Sequence, residues 1–270
     1  MPEGPEIRRA ADALAEAIVG HPLRAVEFAP PALHHYQSQL LGQTVESVSP
    51  RGKALLTRFD NGLTLYTHNQ LYGVWKISRP GDVPDTRRSL RVALHTAHAS
   101  IRLYSASTIE IWPTAGLDRH PFLQRLGPDV LDPTLTADAV HARLQDPRFS
   151  GRALPGLLLD QSFLAGMGNY LRAEALFEAG IAPHQRPRDL PIEAGMRLAS
   201  ALLSVPQRSY RCRGIQRATG MRADYISASS DGFRFEVFDR DGKRCRRCGG
   251  TIVRGEAAGR RLYWCPGCQT

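Results

Sequence analysis

Long apolar runs are missing from this chain of 270 residues. No stretch approaches the roughly 18–20 consecutive apolar residues that a membrane-spanning helix needs. The N-terminus is acidic and proline-containing where a secretory signal would be basic and then apolar, so a cytoplasmic protein with no membrane partner is expected. Cysteine is nearly absent from the body of the chain: of five, Cys212 stands alone and the other four crowd into the last 26 residues. That distribution argues against a disulfide scaffold and for a metal site in a reducing compartment. The nine histidines contain no H-E-x-x-H pair, so no catalytic metal is expected. Internal repeats are lacking too.

Negative charge is scarce as well. Asp and Glu number 26 against 35 Lys and Arg, which leaves a net charge of +9 and an attraction to polyanions, of which nucleic acid is the commonest. An apolar fraction of 42% with 23% charged residues is that of a folded globular protein. The length suits two domains with a small appendage.

What is present falls into blocks. Apolar or small residues Ile7, Ala10, Ala11, Leu14 and Ile18 recur at helical spacing, with Gly20 and Pro22 as stops, which predicts a first helix. From Leu23 to Ile111 short runs such as "ALLTRF", "LTLYTH", "VWKIS", "LRVAL" and "SIRLYS" predict strands of an antiparallel sandwich or barrel. "DNG" at Asp60–Gly62 signals a tight hairpin with positive φ at Asn-Gly. Prolines in "GPDVLDPTLTADAV" place a domain boundary near 127–135. Beyond it "LPGLLLDQSFLAGMGNYLRAEALFEAGI" reads as a helix, a glycine-broken turn at Gly166–Gly168 and a second helix from Asn169 to Gly180, a helix-turn-helix-like unit. A further helix is expected over Ile192–Leu203, stopped before Pro206, and then a mobile loop over 208–232. The fold class is therefore α+β and multi-domain.

The strongest local motif is Cys245-x-x-Cys248, sixteen residues, then Cys265-x-x-Cys268. Two such knuckles suit one tetrahedral zinc with no position left open, a structural site. The segment Glu236–Thr270 holds eight Arg and Lys against four acids, with Arg260 and Arg261 together near the hairpin tip, so it suits contact with phosphate. Asn169 opens a helix, where backbone N–H groups and the dipole favour an anion such as a DNA phosphate; an ordinary N-cap is the alternative. Lys53 of "RGK" sits at a turn, where a lysine is usually only solvated. "HNQLYG" at His68–Gly73 places Gln70, Leu71 and Tyr72 at a turn, suited to a wedge that fills the space left by an extruded base, or equally to core packing.

The opening "MPEGPE" raises a different chemistry. Methionine before proline is normally trimmed, and Pro2 then presents a secondary α-amine, with a pKa of about 7.7–8.0 for such a group, as a candidate nucleophile. Attack on an aldehyde-level carbon gives an iminium that has no N–H to lose and acts as a fixed electron sink. Glu3 beside it is placed to move a proton, and Glu6 to help position the amine.

These residues converge. "PEGPEIRRA", "RGKALL", "HNQLYGVW", "HPFLQRLGPDVL", "GMGNYLRAE" and the closing "YWCPGCQ" resemble, end to end and in order, the formamidopyrimidine-DNA glycosylase/endonuclease VIII family. Because the chain has "PEGPE" and "NQLYG" where the formamidopyrimidine branch has "PELPE" and a methionine wedge, it is similar to the endonuclease VIII branch.

The resemblance implies an N-terminal antiparallel β-sandwich with an N-terminal helix (1–128), a helix-two-turns-helix domain (129–222) and a four-cysteine zinc-finger hairpin (236–270), with DNA crossing between domains. It implies a bifunctional DNA glycosylase/AP lyase acting on double-stranded DNA with oxidised pyrimidines or abasic sites, by β,δ-elimination. In it Pro2 attacks C1′ of a flipped nucleotide, Glu3 donates a proton, Lys53 assists β-elimination and Arg260 assists δ-elimination. Arg261 adjoins Arg260 where relatives often differ, so both arginines are candidates for the phosphate. Gln70, Arg125 and Asn169 match DNA-contacting positions, with Gln70, Leu71 and Tyr72 as the wedge. A bacterial, nucleoid-associated monomer follows. A DNA-binding module without chemistry and a proline-based tautomerase are the rival readings; intact Pro2, Glu3 and Lys53 count against the first, the finger and the charge against the second.

Overall fold

The computed structural model describes every residue except 1, 213, 217, 219, 220, 228 and 229. It divides into two compact units: Glu6–Gln124 together with Pro2, and Arg125–Thr270 together with Glu3–Pro5. The assignment of Glu3–Pro5 to the second unit is invisible in the sequence, because it depends on a contact with residues more than 160 positions away.

The first unit holds most of helix α1 (Gly4–Ile18), with Pro5 in its first turn where a missing N–H costs nothing. A short helix α2 (His35–Leu40) and eight strands follow: β1 Ala25–Phe28, β2 Val45–Arg51, β3 Ala54–Phe59, β4 Leu63–His68, β5 Val74–Ser78, β6 Leu90–His95, β7 Ser100–Tyr104 and β8 Thr108–Pro113. They form two four-stranded sheets, ordered β1-β6-β7-β5 and β2-β3-β4-β8, with every pair antiparallel. Val26 and Phe28, Val92 and Leu94, and Ile101 and Leu103 of one sheet share a core with Val45, Val48, Leu55, Phe59, Leu65 and Ile109 of the other, and with Ala11, Leu14 and Ile18 of α1. The alternation that put these residues on one face of each strand makes this a β-sandwich.

The Asp60–Gly62 turn differs from its expected form. Only Gly62 has positive φ (78°). Asn61 instead uses its side chain, donating to the Gln39 carbonyl and accepting from the Leu63 N–H, so one glycine suffices for the reversal.

The second unit holds α3 (Ala137–Gln145), single-turn helices α4 (Pro147–Ser150) and α5 (Leu154–Leu157), α6 (Asn169–Ala179) and α7 (Ile192–Arg211), then the hairpin β9 (Val253–Ala257) and β10 (Arg260–Trp264). Three expectations are corrected here. The segment before Gly166 is one helical turn and a series of bends, because Pro155 and Gly156 shorten what the apolar run suggested. The last long helix does not stop before Pro206 but runs through it to Arg211: Leu198, Leu202, Val205 and Ser209 stay on one buried face, and that burial outweighs the lost N–H. Consequently Arg208–Arg211, expected in a mobile loop, are helical. Of that 208–232 segment, 213, 217, 219, 220, 228 and 229 lie outside the described residues, while Ile215 makes bridges to Ile226 and Phe233.

Helix α6 is the axis of this unit, buried from Tyr170 to Phe177, and it ends at Gly180 with φ 71° as the helix C-cap rule requires. Ile252, Leu262, Tyr263, Cys245 and Cys265 of the finger belong to the same apolar cluster as α6 and α7. The hairpin therefore shares the helical core instead of forming one of its own.

Candidate active site and zinc centre

The turn before α6 is shaped for Glu3. Gln161 accepts from the Gly166 N–H and donates to the Met167 carbonyl, holding the chain so that the Gly166 carbonyl meets the Gly4 N–H at 2.8 Å. This lays residues 3–5 along the turn. The two oxygens of the buried Glu3 carboxylate then accept the backbone N–H groups of Tyr170 (2.8 Å) and Leu171 (3.2 Å). The free donors at the start of α6, expected to face a DNA phosphate, are thus committed to Glu3, which satisfies them as a capping carboxylate does.

Asn169 points elsewhere. Its side-chain N–H donates to the Arg261 carbonyl at 2.9 Å, and its oxygen accepts from Arg172 at 2.6 Å. Arg172 is wholly buried and also donates to the carbonyls of Pro155, Ala257 and Arg261. Burial pushes its guanidinium down to about 10; the Glu3 carboxylate opposes that fall and Arg260 adds to it. Arg260 and Arg261 are successive residues of β10, so their side chains leave opposite faces, and it is Arg260 whose charge is felt at Arg172. The hairpin turn carries positive φ at both Ala258 (54°) and Gly259 (67°), the form that reverses a two-residue hairpin.

Glu174, one turn on from Tyr170, is buried and accepts three consecutive backbone N–H groups, Glu236, Val237 and Phe238, at 2.9, 3.0 and 2.8 Å. Burial pushes its carboxyl up to about 7 against the pull of those three donors. It ties the segment leading into the finger to α6.

The four finger cysteines converge, their sulfurs all within 4.8 Å of one another. Sγ of Cys245 and Cys268 are 3.8 Å apart and those of Cys248 and Cys265 are 3.4 Å apart. A tetrahedron with zinc–sulfur bonds of about 2.3 Å has edges of about 3.8 Å, so the set fits one zinc ion held by Cys245, Cys248, Cys265 and Cys268 alone.

In the first unit Lys53 follows Gly52, whose φ is 60°, in the two-residue turn between β2 and β3. It is 7% exposed, unlike the solvated turn lysine that is the ordinary case. Its charge is felt at His68, whose imidazole is pushed down to about 4, first by burial and then by Lys53. His68 Nδ1 accepts the Gln70 N–H at 3.0 Å. That bond opens a turn in which Gln70 has φ 48° and the Gly73 N–H meets the Asn69 carbonyl at 2.7 Å. The Gln70 amide is held by Thr108 and Ser107. Leu71 and Tyr72 are 47% and 65% exposed, which removes the core-packing alternative. Glu6 is buried and pairs with Arg9 at 2.8 Å, Pro2 is buried, and Arg125 is exposed at the start of the second unit.

Residues 1–108 match the N-terminal domain of formamidopyrimidine-DNA glycosylase, 126–219 its H2TH domain and 242–270 the zinc finger found in FPG and IleRS. Endonuclease 8 of Shigella flexneri serotype 5b (strain 8401) is 55% identical over 269 residues, covering 100% of both chains. The chain belongs to the formamidopyrimidine-DNA glycosylase/endonuclease VIII family. Endonuclease 8 of Escherichia coli (strain SE11) is equally similar, 55% over the same span and coverage. The family fold also aligns along its whole length with the Lactococcus lactis Fpg (MutM) protein in complex with DNA containing N7-benzyl-Fapy-dG, at TM-score 0.84 and 21% identity with 100% of each chain covered. No described helix of this family member is long and apolar enough to cross a membrane.

Arg172 and Glu174 were missed in the sequence. A signal existed: a helix apolar on all sides is buried, and any charge on it has to be partnered.

Proposed function

We propose that this chain is a bifunctional DNA glycosylase/AP lyase of base excision repair that removes oxidised pyrimidines through a Schiff base on Pro2 and nicks the strand by β,δ-elimination. What carries the reading is the seat of Glu3. Both its oxygens are fixed on the first N–H groups of α6, so a carboxyl is held in one place immediately after the terminal secondary amine, in a chain 55% identical to endonuclease 8.

In the proposed sequence the Pro2 nitrogen bonds to C1′ as the C1′–base bond breaks, and Glu3 serves the proton transfers at the sugar. The resulting iminium draws electrons from C2′, so loss of the C2′ proton expels the 3′-phosphate. A second elimination expels the 5′-phosphate. Lys53 and Arg260 neutralise phosphate charge as it develops, and Glu6 supports the amine. Gln70, Leu71 and Tyr72 fill the gap left by the flipped nucleotide, while Arg125 and Asn169 hold the backbone.

The structural zinc supplies no chemistry; its four thiolates fold the hairpin that carries Arg260. Domains at 1–128, 129–222 and 236–270, a monomeric enzyme and a nucleoid-associated cytoplasmic location complete the reading. The test is Glu3→Gln, which should abolish base excision while leaving some strand cleavage at a ready-made abasic site. Equal loss of both steps would remove Glu3 from its assigned role.

A further inference from the structure

Arg172 is the largest fully buried side chain, yet it is an arginine with no carboxylate listed against its nitrogens; its bonds go to carbonyls and to one amide oxygen. Its Nε has no acceptor among the described residues. Burying a guanidinium in this way is costly, and a leucine or methionine would fill the same helix face at less cost. The arginine therefore calls for a reason beyond packing.

The reason lies in what its two terminal nitrogens hold. One, Nη1, bridges Pro155 of α5 and Ala257 at the end of β9. The other, Nη2, bridges the Asn169 side chain and the Arg261 carbonyl near the start of β10. The guanidinium thus grips both strands of the finger hairpin on either side of the Ala258–Gly259 turn, and its planar fork fixes the geometry of both contacts at once. Arg260, between the gripped positions, has no choice but to leave the strand where the fork sets it. The same fork orients Asn169: with its oxygen bound to Arg172 and one side-chain N–H bound to the Arg261 carbonyl, a single side-chain N–H is left to face a ligand.

We infer that Arg172 is a positioning residue that sets the placement of Arg260 and Asn169 together, so that helix α6 and the zinc hairpin present two phosphate-binding groups as one rigid element. It touches neither substrate nor metal. The inference deepens the reading above and rests on it, because Arg260 must act in the second elimination for its placement to be seen.

The measurement is the ratio of δ- to β-elimination products on a duplex with one abasic site, with zinc content determined on each protein. Wild type, Arg260→Ala, Arg172→Met and Arg172→Lys are compared, and borohydride trapping on Pro2 is run on wild type. In Arg172→Met the δ-to-β ratio should fall by about tenfold or more, since a displacement near 1 Å can cost on the order of 100-fold, with stoichiometric zinc and the same direction of change as Arg260→Ala. Arg172→Lys keeps the charge but not the fork and should give an intermediate ratio. A wild-type ratio in both Arg172 variants overturns the inference, and so does a parallel fall of both eliminations. Should Arg172→Met fail to fold, the lysine variant alone decides by the same criterion. Failure of wild-type trapping, or a normal ratio in Arg260→Ala, counts instead against the proposed function.

Discussion

A Cβ on Gly168 would stand 2.2 Å from Cδ of Glu3 and 2.5 Å from its Oε1. Only hydrogen fits there, so Gly168→Ala must push the carboxylate off the N–H groups of Tyr170 and Leu171. Misplacement of a reacting group by about 1 Å costs on the order of 100-fold in rate. Base excision from a dihydrouracil duplex should fall at least that far, with zinc content unchanged. A variant that keeps half the wild-type rate would show that the seat of Glu3 is not needed.

His68 should make the wedge turn sensitive to acid. Its ring accepts the Gln70 N–H and so must be neutral at Nδ1, and its pKa in the folded state lies near 4, below the usual 6.5. The unfolded chain therefore binds the proton first: the contribution is complete above pH 6.5 and is lost as pH falls toward 4, by about 1–3 kcal/mol. Unfolding free energy measured across that window should drop more steeply in wild type than in His68→Ala. Identical slopes would contradict the assignment.

Glu174→Ala should strand three buried backbone N–H groups at once. A loss of about 3 kcal/mol or more is expected, read by urea unfolding. Surface glutamates such as Glu178 should change stability by less than about 0.5 kcal/mol when replaced. A loss at Glu174 in that lower range would mean that water replaces the carboxylate without cost.

Leu71→Ala and Tyr72→Ala should separate binding from folding. Both side chains are exposed, so thermal stability should hold within about 0.5 kcal/mol, while affinity for lesion-containing duplex falls by roughly tenfold for a lost wedge residue. A fall in stability with affinity intact would return these residues to the core.

Much of this molecule can be read from its sequence, for identifiable reasons. The finger is visible because metal coordination fixes both residue type and spacing, and the sandwich because strand faces alternate over short β-branched runs. What escaped notice depended on distant partners. The start of α6 was expected to offer its N–H groups to phosphate; only the folded chain shows Glu3 arriving from the far N-terminus to take them. Pro206 looked like a helix stop because propensity is local, whereas the buried face of α7 is a tertiary fact. Lys53 looked solvated because turns usually are, and Arg172 was hidden because its four acceptors are main-chain or amide oxygens that leave no mark in sequence.

The most direct test of the central claim is borohydride trapping of the methionine-trimmed protein on a duplex carrying a single dihydrouracil, beside Pro2→Ala, with the adduct mapped by mass spectrometry. A covalent adduct on Pro2, absent from the variant, is the predicted result. Tight binding of the duplex with nothing trapped in wild type would contradict it and leave a DNA-binding protein without chemistry.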